Sequence, residues 1–125
     1  MTVQLNHTIV PSRDAKASAE FLSDILGLPA PRRFYHFWVV NTANGVSLDF
    51  LEVEGEIQST HYAFLISEAE FDEIFARIEA RGVPYWADPG AGLPQQINHD
   101  GGGRGIYFHD PAGHFLEIIT RPYGG

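Results

Sequence analysis

Gly45-Val46-Ser47-Leu48-Asp49 and Gly113-His114-Phe115-Leu116-Glu117 carry one pattern, Gly-x-x-Leu followed by an acid, at positions 68 apart. Upstream of each stands a histidine in an apolar stretch: His7 within residues 5–10, and His61, 54 positions later, at the head of residues 61–66. A helical pattern separates histidine from acid in both copies. The first helix opens near residues 12–14, places Phe21, Leu22, Ile25 and Leu26 on one face, and stops at Gly27. The second opens on an S-x-x-E capping box, Ser67 and Glu70, presents Phe71, Ile74, Phe75 and Ile78, and ends at Gly82 and Pro84. Strand-like segments follow each helix, at residues 34–40 and 46–53 in the first copy and at 83–87, 105–109 and 114–120 in the second. The longer spacing of the second copy falls in a loop around residues 87–103, rich in Gly, Pro, Asn and Asp. The chain is thus expected to repeat one unit, strand-helix-strands, with module 1 at about 1–56 and module 2 at about 57–125 of a single domain.

Composition narrows the function classes. The net charge is −8, and Lys16 is the one lysine among eight basic residues, so no cationic stripe exists to release counterions from phosphates. Nucleic acid is not an expected partner, nor is an anionic membrane surface. Absence of cysteine excludes a disulfide framework, a thiolate metal site and a thiol nucleophile. Residues 1–5 lack the charged and apolar regions of a secretory leader, and no apolar run approaches the roughly 20 residues of a membrane span. A cytoplasmic protein acting on a small molecule is expected.

Side chains at i and i+2 of a strand share a face. His7 shares its face with Leu5 and Ile9, His61 with Ala63 and Leu65, and Glu117 with Phe115 and Ile119. Polar groups among apolar neighbours need partners, because burial without one is costly. Two imidazoles and a carboxylate make a facial ligand set that leaves sites open on a divalent ion, with Fe(II) or Mn(II) favoured and Zn(II) or Ni(II) also compatible.

The repeat, together with "NHTIV" at the start, "THYAFLIS" in the middle and "IYFHDPAGHFLEI" near the end, resembles the vicinal oxygen chelate superfamily along nearly the whole chain. That superfamily includes glyoxalase I, bleomycin-resistance proteins, fosfomycin-resistance thiol transferases and extradiol dioxygenases. The resemblance implies an α+β fold in which two βαβββ modules form a cupped mixed sheet around a metal cavity. It also implies His7, His61 and Glu117 as metal ligands, Asp49 at the position of a fourth carboxylate, and a homodimer, which would also cover sheet edges.

Within the superfamily, Ile97-Asn98-His99, then Ile106-Tyr107, Asp110-Pro111-Ala112-Gly113 and Glu117 resemble the extradiol dioxygenase signature. His99 and Tyr107 would then assist substrate or oxygen beside the iron. Departures exist: the chain has two units where ring-cleaving enzymes commonly have four, and residues 46–51 offer Ser47 and Asp49 but no acid/base histidine. A fosfomycin transferase would need more cations than Arg104 and Arg121 near the site. The leading expectation is an extradiol-dioxygenase-like oxidoreductase acting on a vicinal-oxygen substrate. A glyoxalase-like lyase or isomerase, with Asp49 or Glu117 moving a proton, and a non-catalytic ligand-binding resistance protein are the alternatives. The aromatic run Phe34-Tyr35-His36-Phe37-Trp38 is expected to alternate faces along one strand and to help line the pocket, and His109 and His114 are expected to be exposed.

Overall fold

The computed structural model describes residues 1–123 of the 125. The chain divides into two compact units, Met1–Gln58 and Ser59–Gly125. Unit 1 runs β1 (His7–Ser12), α1 (Ala15–Leu26), β2 (Arg32–Phe34), β3 (Phe37–Asn41) and β4 (Ser47–Glu52). Unit 2 runs β5 (His61–Leu65), α2 (Glu68–Ala80), β6 (Tyr85–Trp86), a short 3-10 turn at Asp100–Gly102, β7 (Gly105–His109) and β8 (Phe115–Ile119). Both are βαβββ modules with four-stranded mixed sheets, ordered β1-β4-β3-β2 and β5-β8-β7-β6. In each, the first strand lies parallel to the last and the remaining pairs are antiparallel.

The register makes the repeat quantitative. Ile9 faces Asp49 and Val39 faces Asp49 in unit 1; Ala63 faces Glu117 and Tyr107 faces Glu117 in unit 2. Glu117 is therefore the counterpart of Asp49, His61 of His7, and Tyr107 of Val39. Alternation then sorts each strand into a helix-side face and an open face. Val10, Val40, Leu48 and Phe50 are buried together with Ala15, Ala19, Leu22 and Ile25 of α1. In unit 2 the same side holds Ile106, Phe108, Leu116 and Ile118, with Phe71, Ile74 and Ile78 buried on α2. Each such large side chain contributes about 1.5–3 kcal/mol on burial. His7, Asp49, His61, Tyr107 and Glu117 all belong to the opposite faces.

Two expectations are corrected. Residues 34–40 are not one strand but a hairpin, in which Phe34 pairs with Phe37 across a two-residue turn, Tyr35-His36. Tyr35 has φ of 50° and points into solvent, so the run of aromatics does not alternate along a single strand. The left-handed residue is held by Arg33 Nε, which donates to the Tyr35 carbonyl at 2.9 Å. His114 is fully buried rather than exposed. It precedes Phe115 on the chain and so falls on the helix side with Leu116 and Ile118. Its Nδ1 accepts the Thr60 backbone N–H at 3.1 Å, and its own N–H donates to Asp110 Oδ1 at 2.8 Å. His109 is exposed, as expected.

Helix ends follow the sequence closely. Asp14 caps α1 through Ala17 N–H, and Gly27 closes it in the left-handed conformation at φ 71°. Ser67 and Glu70 form the complete capping box of α2. The Ser67 backbone and side chain hold the Glu70 carboxyl below its ordinary value of 4.5. Ser67→Ala is expected to destabilise the protein by about 1 kcal/mol in thermal or urea unfolding near neutral pH. A carboxyl lowered on folding stabilises above its unfolded pKa and loses that contribution as pH falls, so the gap between wild type and variant should narrow in acid.

Candidate functional site

Glu117 stands at the middle of β8, flanked by β5 and β7, and is 1% exposed. A carboxylate in that position requires partners on both oxygens. On one side, His61 Nε2 lies 3.0 Å from Glu117 Oε1. On the other, the Tyr123 hydroxyl donates to Glu117 Oε2. Tyr107, directly across from Glu117, has its hydroxyl 3.1 Å from that of Tyr123. Because the Tyr123 proton is directed to Glu117, Tyr107 is the donor of that second bond. Burial pushes the Tyr107 phenol far above its ordinary 10.0, and its bonds toward Tyr123 and Glu117 act the same way. Tyr123 is raised too, first by burial and then by Glu117. Both phenols are neutral donors at physiological pH.

The protonation of His61 is informative. Its Nδ1 lies 2.9 Å from the Phe115 carbonyl, which can only accept, so Nδ1 carries a hydrogen. A neutral imidazole then has a bare lone pair at Nε2, aimed at a carboxylate oxygen that also carries lone pairs. A proton on Nε2 turns the contact into an imidazolium–carboxylate pair, and a metal ion to one side, with the two atoms as adjacent ligands, would satisfy it as well. A ligating histidine whose other nitrogen donates to a backbone carbonyl has its tautomer and ring orientation set in advance. His61 and Glu117 are two donors of the types that ligate divalent metals.

The Asp110–Gly113 turn puts these strands in register. Asp110 Oδ1 accepts from the backbone N–H groups of Ala112 and His114, and Gly113 takes φ 90°. Through Thr60, the His114 ring ties the turn to the start of β5, where Phe115 N–H donates to the Thr60 carbonyl at 2.9 Å. His61 follows immediately. Aromatic rings extend from it over the same face: His61 to Tyr107 at 6.0 Å, Tyr107 to Phe115 at 5.4 Å, Phe115 to His109 at 4.7 Å and His109 to Trp86 at 5.5 Å.

The remaining candidates stand apart from this network. His7 and Asp49 belong to unit 1. His7 Nδ1 donates to Asn6 Oδ1 at 2.7 Å. Asp49 Oδ1 is buried without a hydrogen-bond partner. His99 is exposed in the loop before β7, its Nδ1 donating to the Gly103 carbonyl at 3.1 Å. Among the described residues of one chain, no three His, Cys, Asp or Glu side chains gather as a metal-ligand group. Tyr123 was not anticipated from the sequence. It follows β8 and Pro122, outside any periodic pattern, and a lone tyrosine six positions beyond Glu117 carries no signal.

A family model described as the Glyoxalase/Bleomycin resistance protein/Dioxygenase superfamily matches residues 4–118, and the chain belongs to that superfamily. The solved structure of Oxidase ChaP-H1 is 58% identical, with a TM-score of 0.97, covering 99% of this chain and 100% of that one. Oxidase ChaP-H2 is 59% identical, with a TM-score of 0.97 over 100% and 98% of the two chains. Glutathione transferase FosA of Serratia marcescens is 29% identical over 124 residues, 94% of this chain and 81% of that protein.

The neutral state of Tyr107 can be checked by ultraviolet phenolate titration. Wild type and Tyr107→Phe should give superimposable curves through the ordinary phenol range near 10.0. Separation of the curves within that range would show that Tyr107 ionises normally.

Proposed function

We propose that this protein is a metal-dependent oxidoreductase that uses molecular oxygen on a small, aromatic substrate bearing two neighbouring oxygens. The observation that carries the reading is the approach of His61 Nε2 to the buried Glu117 Oε1, 3.0 Å apart on paired parallel strands. His7, the unit 1 counterpart of His61, is the proposed third ligand. Fe(II) or Mn(II) would supply Lewis acidity and a place for oxygen beside the substrate when bound. Two relatives that are nearly 60% identical over essentially the whole chain carry the name oxidase, which supports oxygen chemistry.

The chain's own residues have separable roles. Rings of Tyr107, Phe115, His109 and Trp86 offer an aromatic face on which a planar substrate can stack. Tyr107, kept un-ionised by burial, would donate to a substrate oxygen by turning its one proton away from Tyr123. His99, whose Nδ1 donates to Gly103, would offer Nε2 from the loop as an acceptor. Arg104, one of two arginines close to the site in sequence, is held by Glu68 at 2.7 Å and Asp72 at 2.9 Å. That engagement disfavours a phosphonate substrate despite the likeness to FosA. A lyase reading has one observation in its favour: the unpartnered Asp49 Oδ1 could accept a proton.

The active species proposed is a homodimer. Ile9, beside His7 on β1, is 48% exposed, and Leu65, beside His61 on β5, is 62% exposed. Both belong to edge strands, where apolar exposure invites a second copy.

Protein purified without oxygen should contain about one divalent ion per chain and consume O₂ with catechol-type diols. His61→Ala and Glu117→Ala should each lower metal affinity by more than about 100-fold, since each removes a ligand rather than its support. Metal binding without O₂ uptake from any diol would select the lyase reading, and failure to bind any divalent metal would select a ligand-binding protein. Mixing His7→Ala with His61→Ala chains decides where the third ligand comes from: recovery of metal binding means that a second copy supplies His7.

A further inference from the structure

The tail after β8 has no place in the strand repeat, yet it reaches the most buried polar group of the site. We infer that Tyr123 is a positioning residue for Glu117, and that the glycine loop before β7 is shaped to hold the tail in place. The inference rests on the metal reading above. Tyr123 donates to Glu117 Oε2 while His61 faces Oε1, so the two carboxylate oxygens have different duties. With Oε2 occupied, Glu117 can offer a metal one oxygen only. Tyr107 donates to Tyr123 in turn, so Tyr123 also sets the direction of the Tyr107 hydroxyl.

The means of holding the tail is legible in Gly103. Its conformation suits any residue, because its φ is −107°. Space is the constraint. A Cβ at position 103 would lie 2.5 Å from Thr120 Oγ1 and 3.0 Å from Arg121 Cγ. Thr120 is pinned there, its Oγ1 accepting the Arg104 N–H at 2.8 Å and its own N–H donating to the Arg104 carbonyl at 3.0 Å. Gly101, in the same loop, lies under Pro122 and Tyr123: a Cβ there would be 3.6 Å from the Pro122 carbonyl oxygen. The loop therefore presents bare backbone to the tail, and Tyr123 hangs from its end at the right height for Glu117. Tyr123 itself is 46% exposed and adds little to the core.

Two substitutions test this. Tyr123→Phe removes one hydroxyl and nothing else. Gly103→Ala leaves every site residue intact but pushes Thr120 and Arg121 off the loop. Titration calorimetry with Mn²⁺ should show affinity reduced about 10–100-fold in each, the range for losing a group that supports a ligand. Metal-free Tyr123→Phe should still unfold in one cooperative transition, at a melting temperature below wild type because Glu117 Oε2 loses its donor. A Co²⁺-loaded sample gives a reading that a purely structural role would not move: visible absorption should weaken in Tyr123→Phe as Glu117 becomes bidentate and the coordination number rises. Wild-type protein that binds Mn²⁺ while Tyr123→Phe matches it within about twofold, with an unchanged Co²⁺ spectrum, overturns the positioning role and leaves the metal reading standing. Wild-type protein that binds neither metal overturns both.

Discussion

A carboxylate sealed inside a sheet is the constraint that organises unit 2. Glu117 is 1% exposed on a central strand, and an ion so placed costs several kcal/mol unless its lone pairs are answered. Its neighbours are arranged as answers. His61 comes from the parallel strand on one side, Tyr107 from the antiparallel strand on the other, and Tyr123 from beyond the strand end. Packing alone would have favoured an apolar residue at this position, as it did at Leu116 and Ile118 on the opposite face. The acid is instead answered by polar groups on both oxygens, with His61 Nε2 3.0 Å from one of them.

Comparison of the two units within one chain sharpens that point, since they supply their own control. The same strand register places Asp49 where Glu117 stands, Val39 where Tyr107 stands and His7 where His61 stands. Unit 1 keeps the skeleton of the arrangement but not its hydrogen bonds. Asp49 is a methylene shorter, its neighbour Val39 has no hydroxyl, and its Oδ1 is left without a partner. His7 is oriented by Asn6 rather than by a strand carbonyl. Two modules with one strand order thus differ in polar chemistry, and the second holds the denser hydrogen-bond network around its acid.

How much of this the sequence disclosed follows from what kind of signal each feature leaves. Helix ends were readable because Asp14, Gly27, Ser67 and Glu70 act within a few residues of themselves. The repeat was readable because period-2 alternation and the Gly-x-x-Leu-acid pattern are also local, and they located Glu117 and His61 on open faces. The hairpin at Tyr35-His36 was missed because its turn uses no glycine or asparagine; a left-handed tyrosine stabilised by Arg33 looks like strand in an aromatic run. His114 was missed through parity: one residue before Phe115, it had to face the helix side, and its neighbour Gly113 suggested an exposed turn instead. Tyr123 left no trace at all, since its role depends on a tail lying across glycines some 20 positions earlier.

Those glycines bear on how the site is completed. A run of three, Gly101-Gly102-Gly103, reads from the sequence as a flexible loop tip, and composition gives no reason to think otherwise. In the structure two of them adopt positive φ and the third lies against Thr120 and Arg121, so their common property is absence of side chain rather than freedom. The loop carries His99 at one end and leads through Arg104 into β7 at the other, and Arg104 is locked onto α2 by Glu68, Asp72 and the ring of Phe71. A segment tied at Arg104 and overlaid by the tail has little room to move independently of Tyr123. The loop that bears His99 and the tail that bears Tyr123 are therefore packed on one another at Gly101 and Gly103, which joins the support of Glu117 to the segment leading from His99 into β7.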